Sequence, residues 1–344
     1  MKRFITISLM LLVIGGLTAG EAFAQKKRAQ TSMKFLSTSM FAKSSGMGDA
    51  VTAMEGNSSS LFSNPASMAW QQSTMDISLG HVLWIADIKY NAAAISFRPA
   101  GGRYGVIGLS ATYVDYGEFT ETIFATNERG YEILGTYGPY AYAVGLGYAR
   151  ALSEQFSVGA NIRYAYQFLV KGATSINESG GLTKTDFNAN TYSIDFGVFY
   201  KTGFESLNFA MVLRNFSPEI NYGFDTQDSE LPLTFKIGLS MDLFDLTNLF
   251  NVTDVDKSNH ALLFSVDANR PRDFDEQLMF GLEYSFLNRI ALRGGYSFPN
   301  DEQGFSAGVG LKQPLGGMGL EVDYSYTTFG IFSDVSRLSV RFTL

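Results

Sequence analysis

The sequence of 344 residues contains no cysteine, and only 17% of its residues are charged. Without cysteine the chain has no disulfide, thiolate zinc site, iron–sulfur cluster or cysteine nucleophile. Proline is also scarce, with 8 residues and no Gly-X-Y period, which excludes a collagen-like chain. Low charge together with 14% aromatic residues excludes an intrinsically disordered chain. The chain must therefore bury or insert apolar surface.

Basic charge and catalytic motifs are lacking as well. The formal net charge of -7 argues against a nucleic-acid partner, which needs a basic face to neutralise phosphates. The sequence has no HExxH, P-loop or G-x-G-x-x-G motif. Residues 304–308 spell G-x-S-x-G, but the only histidines, His81 and His260, precede Ser306, and a strand follows it. The sequence therefore predicts no enzyme, no catalytic residue, no cofactor and no metal site.

The first residues have the features of a secretory signal peptide. Lys2 and Arg3 precede an apolar run over residues 4–17, and Ala22-Phe23-Ala24 gives the small-x-small pattern that signal peptidase reads. The alternative is an amino-terminal membrane helix, but the apolar run is shorter than the roughly 20 residues that span a bilayer. Residues 1–24 are therefore predicted to be a signal peptide.

Apolar residues in the rest of the chain alternate with polar ones. Between residues 231 and 243 every odd position is apolar and every even position is small or polar. A helix would need apolar residues at i, i+3 and i+4, so this period of two indicates a strand with one wet face. The same pattern predicts fourteen strands, at residues 74–84, 88–99, 103–115, 138–150, 155–170, 187–202, 206–214, 232–243, 260–270, 276–286, 289–298, 304–313, 318–327 and 335–344.

The length of these strands favours a membrane barrel. About ten residues tilted by some 45 degrees cross a bilayer, whereas strands of soluble sheets usually have five or six. Because lipid cannot satisfy a free strand edge, the sheet must close. The sequence therefore predicts an all-β fold, a transmembrane antiparallel β-barrel over residues 73–344, surrounded by the lipid of a bacterial outer membrane. A secreted β-sandwich also alternates, but it does not explain the strand lengths.

The connections support the barrel, because such barrels have short periplasmic turns and longer outward loops. The predicted outward links 116–137, 171–186 and 215–231 are long, and five of the predicted periplasmic links are short. Two links break the rule: the outward link 85–87 is short, and the periplasmic link 244–259 is long and partly helical in pattern. A further strand near residues 118–125 would shift the count.

The segment between signal peptide and barrel, residues 25–72, does not alternate. Gly46 and Gly48 allow close backbone approach, while Asn64 and Pro65 favour a turn. Such a segment suits a hatch threaded into the barrel lumen, and it suits an ordinary periplasmic leader equally well.

Several motifs resemble one known family. The stretches 42–50 and 60–69 are similar to the amino-terminal signature of the PorV/PorQ family, and residues 231–239, 292–296, 304–311, 322–326 and 336–340 are similar to its later motifs. The family comprises outer-membrane barrels related to the long-chain fatty-acid transporter, which has fourteen strands and a lumenal hatch. Ser44, Asn57 and Leu344 depart from the usual pattern.

The resemblance implies a role in type IX protein secretion. A PorV-type barrel binds or shuttles cargo beside the translocon, and a PorQ-type barrel anchors a surface partner, so translocon and cargo proteins are the expected partners. The competing expectation is an outer-membrane channel for a small hydrophobic ligand, as in the fatty-acid transporter. Under the resemblance the hatch motif consists of Gly46, Met47, Gly48, Asn64, Pro65 and Ala66.

Two further sets of residues are candidates for function. The final strand presents an apolar face that barrel assembly would read, formed by Leu338, Val340, Phe342 and Leu344. The outward links carry aromatic residues suited to protein binding or, equally, to an aromatic girdle at the headgroups: Tyr116, Tyr131, Tyr137, Phe216, Tyr222 and Phe224. If the odd face of residues 232–243 meets lipid, the lumen is polar, which favours protein handling over lipid uptake.

Overall fold

A computed structural model of the chain describes residues 31–176, 182–222, 228–245, 259–300, 303–332 and 334–344. The predicted signal peptide and the first residues of the predicted hatch lie outside these ranges. In the described part of the chain no helix has the length and apolar character needed to cross a membrane.

Sixteen strands follow one another along the described chain. Fourteen of them form one closed antiparallel barrel, in which the first and last strands pair and complete the ring. The strands are β1 (Met75–Leu83), β2 (Lys89–Phe97), β3 (Val106–Asp115), β4 (Phe119–Phe124), β5 (Tyr131–Tyr137), β6 (Tyr140–Ala151), β7 (Phe156–Ile176), β8 (Leu182–Lys201), β9 (Asn208–Phe216), β10 (Thr234–Asp242), β11 (His260–Pro271), β12 (Gln277–Phe286), β13 (Ile290–Phe298), β14 (Phe305–Leu315), β15 (Met318–Thr327) and β16 (Val335–Thr343). The predicted fourteen-stranded barrel is confirmed.

Alternation explains why these segments form a wall. In β3 buried and exposed residues alternate over all ten positions. In β10 Phe235 and Leu239 face outward, while Thr234 and Ser240 are buried on the inner side. An apolar outer face suits lipid and a polar inner face suits a filled lumen, as in membrane barrels.

Both ends of the barrel wall lie at one edge. The Thr74 amide donates a hydrogen bond to the Leu344 carbonyl oxygen at 2.8 Å, next to the starts of β1 and β3. Apart from the link between β10 and β11, the longer connections lie at the opposite edge, which is therefore the outward edge.

Two predicted outward links contain strands. Within residues 116–137, β4 and β5 pair as a separate hairpin beyond the barrel, so the further strand near residue 120 leaves the barrel count unchanged. Within residues 171–186, β7 continues to Ile176 and β8 starts at Leu182. Their 21 and 20 residues exceed the roughly ten that cross a membrane, so this hairpin also extends outward. Residues 246–258 of the long periplasmic link lie outside the described ranges.

Short helices occupy the segment before β1: one α-helix, α1 (Ala42–Gly46), and the 3-10 helices Lys34–Ser37, Ser58–Phe62 and Pro65–Trp70. Two more 3-10 helices, Ile85–Asp87 and Pro99–Gly102, lie in the links that follow β1 and β2. The largest apolar cluster joins the segment to the wall, with Phe35 and Phe41 against Val82 and Tyr90. The hydrophobic core therefore sits between this segment and the inner wall.

Candidate functional site

The hatch, residues 31–72 of the described chain, lies inside the barrel. Its backbone bonds to inward side chains on several sides of the wall. The Arg337 Nε donates to the Ser39 carbonyl oxygen at 3.0 Å, and the Asn161 Nδ2 donates to the Leu61 carbonyl oxygen at 3.2 Å. The Ser240 Oγ donates to the Ala53 carbonyl oxygen at 2.6 Å. Contacts with β16, β7 and β10 require a segment that crosses the lumen.

The first hatch motif rests on glycines of three adjacent strands. Gly48 has a φ of 62°, and its backbone packs so closely on Gly295 that a Cβ on Gly295 would lie 2.0 Å from the Gly48 nitrogen. A Cβ on Gly281 would lie 2.5 Å from the Met47 carbonyl oxygen, and one on Gly46 would lie 3.3 Å from the Gly308 Cα. We call Gly281, Gly295 and Gly308 the glycine seat. At Gly281 and Gly295 a side chain would collide with the hatch backbone, and at Gly308 it would be tightly confined.

The second hatch motif has its own contacts on β7 and β8. Asn64 caps the helix that begins at Pro65, because its Oδ1 accepts a hydrogen bond from the Ala66 amide at 3.1 Å. The Asn64 Nδ2 donates to the Val198 carbonyl oxygen at 3.2 Å. A Cβ on Gly159 would lie 2.5 Å from the Ala66 nitrogen. The Asn64 side chain therefore both caps the turn and joins it to the barrel wall.

Buried carboxylates hold the hatch backbone between these motifs. Asp267 Oδ2 accepts hydrogen bonds from the amides of Val51 and Thr52, at 3.1 and 3.0 Å, and from the Thr52 Oγ1 at 2.6 Å. Asp76 Oδ1 accepts from the amide and the hydroxyl of Ser58. Charge-assisted hydrogen bonds of this kind are stronger than neutral ones, so they fix the path of the hatch.

An ion-pair network lies beneath α1. Arg293, buried on β13, bonds to Glu283 and to Asp323, each at 2.5 Å. Lys43 of the hatch reaches the same Glu283 at 3.3 Å. A buried charge is costly unless it is paired, so these contacts stabilise the charges beneath α1 and join the hatch to the wall.

The predicted rim residues fall into two groups at the outward edge. Tyr222 is buried and donates to the Gln167 Oε1 at 2.6 Å, and the Gln167 Nε2 donates to the Tyr116 hydroxyl at 3.2 Å. Burial raises the pKa of both Tyr116 and Tyr222 above the ordinary tyrosine value. Their rings pack inward, so only part of this rim faces a partner.

The other predicted rim residues are more accessible. Tyr131 and Phe216 are exposed, and Tyr137 on β5 is half-buried. Phe224 lies outside the described residues. The residues therefore do not form one continuous surface.

The sequence interpretation missed apolar residues on the hairpin formed by β4 and β5, which we call the outward hairpin. Phe124 is fully exposed, and Ile133 is 61% exposed. Phe119 stacks on Tyr137 with ring centroids 5.8 Å apart. The signal was present, because residues 119–124 are mostly β-branched and aromatic, as strands are.

The final strand presents its predicted apolar face outward. Leu338, Phe342 and Leu344 are exposed on the outer wall, and Val340 is half-exposed. Their neighbours in the chain face the lumen, where Ser339 and Arg337 are buried. The described ranges hold no group of three or more His, Asp or Glu side chains suited to a metal ion.

Solved structures share this architecture. The CymD monoaromatic hydrocarbon channel aligns with a TM-score of 0.54 and 12% identity, covering 88% of this chain and 97% of that chain. The Ralstonia pickettii toluene transporter TbuX gives 0.53 and 11%, covering 88% and 97%. A Pseudomonas aeruginosa FadL homologue gives 0.50 and 10%, covering 92% and 99%. At such identities the similarity shows the fold alone.

Sequence comparison identifies the family. No curated protein matches this chain. Residues 121–336 match the family described as type IX secretion system membrane protein PorP/SprF, which covers more than half of the chain. The match supports the type IX part of the resemblance and an outer-membrane location, whereas the narrower PorV/PorQ assignment stays a prediction. The chain belongs to the PorP/SprF family of type IX secretion system membrane proteins.

Proposed function

We propose that this outer-membrane barrel binds a partner protein of the type IX secretion system through its outward hairpin. The observation that supports this proposal is the exposed apolar surface of Phe124 and Ile133, on a hairpin that is separate from the barrel sheet. Exposed apolar side chains in water indicate an interaction site when they cluster on one element. Aromatic residues are also typical of protein-binding surfaces.

The neighbouring hairpin supports this surface. Lys184, on the outward extension of β8, forms an ion pair with Glu121 of β4 at 2.7 Å. The contact joins the outward hairpin to the extended ends of β7 and β8, so a partner binds a surface held by two hairpins rather than a single loop. Ordering fewer groups on binding lowers the entropic cost of association.

The role we propose for this surface is the one that the PorV/PorQ resemblance implies: binding or shuttling cargo, or anchoring a surface partner. Cargo and translocon proteins are the partners that such a role requires. The hatch crosses the lumen and bonds to the inner wall on several sides, so it narrows any path through the barrel. Binding at the outward edge suits such a barrel better than passage through it.

A channel for small hydrophobic molecules is the alternative, and it is less well supported. The space beside the hatch is lined by Arg214 and Lys236 as well as by apolar groups. Charged groups are costly beside an apolar solute. The similarity to hydrocarbon channels shows a shared fold and gives no information about a substrate of this chain.

The test is co-purification of type IX translocon and cargo proteins, quantified from solubilised outer membranes. The double variant Phe124→Ser with Ile133→Ser should lose at least about 90% of the partner, as hot-spot removal does. The matched control, Leu152→Ser with Phe204→Ser, removes exposed apolar residues at the opposite edge and should retain it.

Two results would overturn the proposal. In one, the hairpin variant inserts normally and co-purifies as much type IX protein as the unmodified chain. In the other, the intact chain binds no type IX protein but takes up labelled oleate in reconstituted vesicles, which would support the channel instead.

A further inference from the structure

A cavity of about 480 Å³ lies between the hatch and the barrel wall near the outward edge. One side is formed by the hatch, including Met40 and Phe41, and the other by β9, β10 and β11. Its lining also includes Asp273 and Asn300, which follow the outward ends of β11 and β13. A solute from the exterior therefore reaches this space without crossing the barrel.

Two cations of the wall meet in this cavity. Arg214 pairs with Thr234 across β9 and β10, and Lys236 is the next inward-facing residue on β10. Diagonal neighbours of this kind lie within reach of one long side chain. Both line the cavity, and Arg214 is only 8% exposed.

Neither cation forms an ion pair with any residue that the structure describes. The Arg214 Nη2 donates to the Leu36 carbonyl oxygen at 3.3 Å, and its Nε has no hydrogen-bond partner in the described part of the chain. The Lys236 Nζ donates to the Asp49 carbonyl oxygen at 3.4 Å. A buried guanidinium with an unused donor is unfavourable unless a negative group supplies the missing acceptor.

Three carboxylates also line the cavity: Asp49, Asp273 and Asp275. Asp273 accepts a hydrogen bond from Thr31 and is paired with Lys34 of the hatch. Asp275 is exposed in the link after β11. Asp49 is therefore the one of the three that lies beside Lys236, while Asp195 and Asp267, buried in the wall, act electrostatically on Arg214 and Lys236 without forming an ion pair with them.

The remaining polar lining consists of hydroxyl and amide groups. Hydroxyl groups can donate and accept, and amides carry both functions, so such walls suit a solute that bears hydroxyls. These groups include Ser37, Ser39, Ser44, Thr234, Asn269 and Gln277. The Asn269 Oδ1 is buried and has no hydrogen-bond partner among the described residues.

We propose that this cavity binds a small hydrophilic carboxylate that carries hydroxyl groups, a sugar acid by chemical class. Its carboxylate accepts hydrogen bonds from Arg214 and Lys236, and its hydroxyls donate to acceptors such as the Asn269 Oδ1. The site is separate from the outward hairpin, so binding here does not depend on a partner protein.

The test uses the full mature chain in detergent micelles, with D-glucuronate as the probe and neutral D-glucose as the matched control, at constant ionic strength. Calorimetry should show glucuronate binding at least about tenfold tighter than glucose, because charge-assisted hydrogen bonds discriminate by that much. Arg214→Gln and Lys236→Gln should each lose about tenfold in glucuronate affinity. Asp49→Asn should bind glucuronate more tightly, since it removes a repelling charge.

Control variants separate this site from a general charge effect. Lys171→Gln and Arg150→Gln remove exposed cations away from the cavity and should bind as the unmodified chain does. Arg214→Lys, which keeps the charge, replaces Arg214→Gln if the latter fails to insert, and it should retain the preference for glucuronate. Equal affinity for the two sugars in the unmodified chain, or unchanged glucuronate binding in Lys236→Gln, would overturn the proposal.

Discussion

The lumen and the outward hairpin place polar and apolar groups in opposite environments. In the lumen, charged residues such as Arg293 and Asp267 are buried, and each has partners on the hatch or the wall. On the outward hairpin, Phe124 and Ile133 are exposed, uncovered by the residues that the structure describes. Buried polar groups that are satisfied contribute to structure, whereas exposed apolar groups outside lipid indicate binding.

The contrast separates residues that hold the molecule together from residues that remain available to a partner. Changes in the fully paired polar network of the lumen should therefore affect folding, and changes on the outward hairpin should affect binding alone. The variants below probe that division, from the largest expected effect to the smallest.

The strongest test exploits two adjacent glycines on β13. Gly295→Val places a side chain where the Gly48 backbone lies, whereas a Cβ on Gly294 meets nothing within 4 Å. Backbone atoms cannot move aside cheaply, so Gly295→Val should cost about 3 kcal/mol or more and deplete the folded barrel. Gly294→Val should insert normally.

Heat-modifiable migration on gels and the yield in outer membranes measure this difference. Equal yields for the two valine variants would mean that the hatch does not occupy the seat.

The second test removes the centre of the lumenal charge network. Arg293→Gln leaves Glu283 and Asp323 buried without their main partner. Breaking a buried ion pair from one side costs about 3–5 kcal/mol. Urea unfolding in micelles should show this loss, and the control Arg150→Gln, at an exposed position, should change stability little. A stable Arg293→Gln protein would show that water, rather than Arg293, solvates these carboxylates.

The third test concerns the outer wall, where depth in the membrane should matter. Val340 lies mid-strand on β16, opposite Leu79, whereas Leu344 follows its end. An arginine costs about 2–4 kcal/mol at the bilayer midplane and about 0–1 kcal/mol near the interface. Val340→Arg should therefore reduce insertion into liposomes much more than Leu344→Arg. The opposite order would place the bilayer elsewhere on the wall.

Much of the barrel could be predicted from the sequence because strand period is a local property. Residues 231–243 show which face is wet without knowledge of any partner strand. The outward extensions of β7 and β8 were not predicted, because beyond the membrane neither face meets lipid and the alternation loses its contrast. Residues 119–124 were noted as strand-like, but their pairing in a separate hairpin was not.

The candidate sites were harder to predict, because they depend on contacts between distant residues. The hatch motif around Gly48 and the later motif containing Gly295 are both visible in the sequence, yet nothing local indicates that their backbones meet. Arg214 and Lys236 carry no motif at all, and only strand register brings them to one cavity. Charge on alternating strands indicated a polar lumen and no more.

The smallest effect is expected at Tyr116 and Tyr222, the rim residues that pack inward. Like the polar residues of the lumen, they are shielded from water and hydrogen-bonded. Tyr222→Phe removes the hydrogen bond to Gln167 and should cost about 1 kcal/mol of stability. Burial raises the pKa of Tyr222 and Tyr116. The folded protein therefore keeps both phenols neutral at pH values at which the same tyrosines in the unfolded chain are ionised. Their contribution is therefore fully present below about pH 10, the unfolded tyrosine value, and is lost as the pH rises through the folded values.

Ultraviolet titration of phenolate absorbance should show tyrosines that ionise later than the exposed ones, with one fewer in Tyr222→Phe. Tyr131→Phe is the matched control, since Tyr131 is exposed on the outward hairpin, and it should leave the late-titrating group intact. If the late group is unchanged in Tyr222→Phe, Tyr222 is accessible to water, and the rim then belongs with the binding surface rather than with the packed interior.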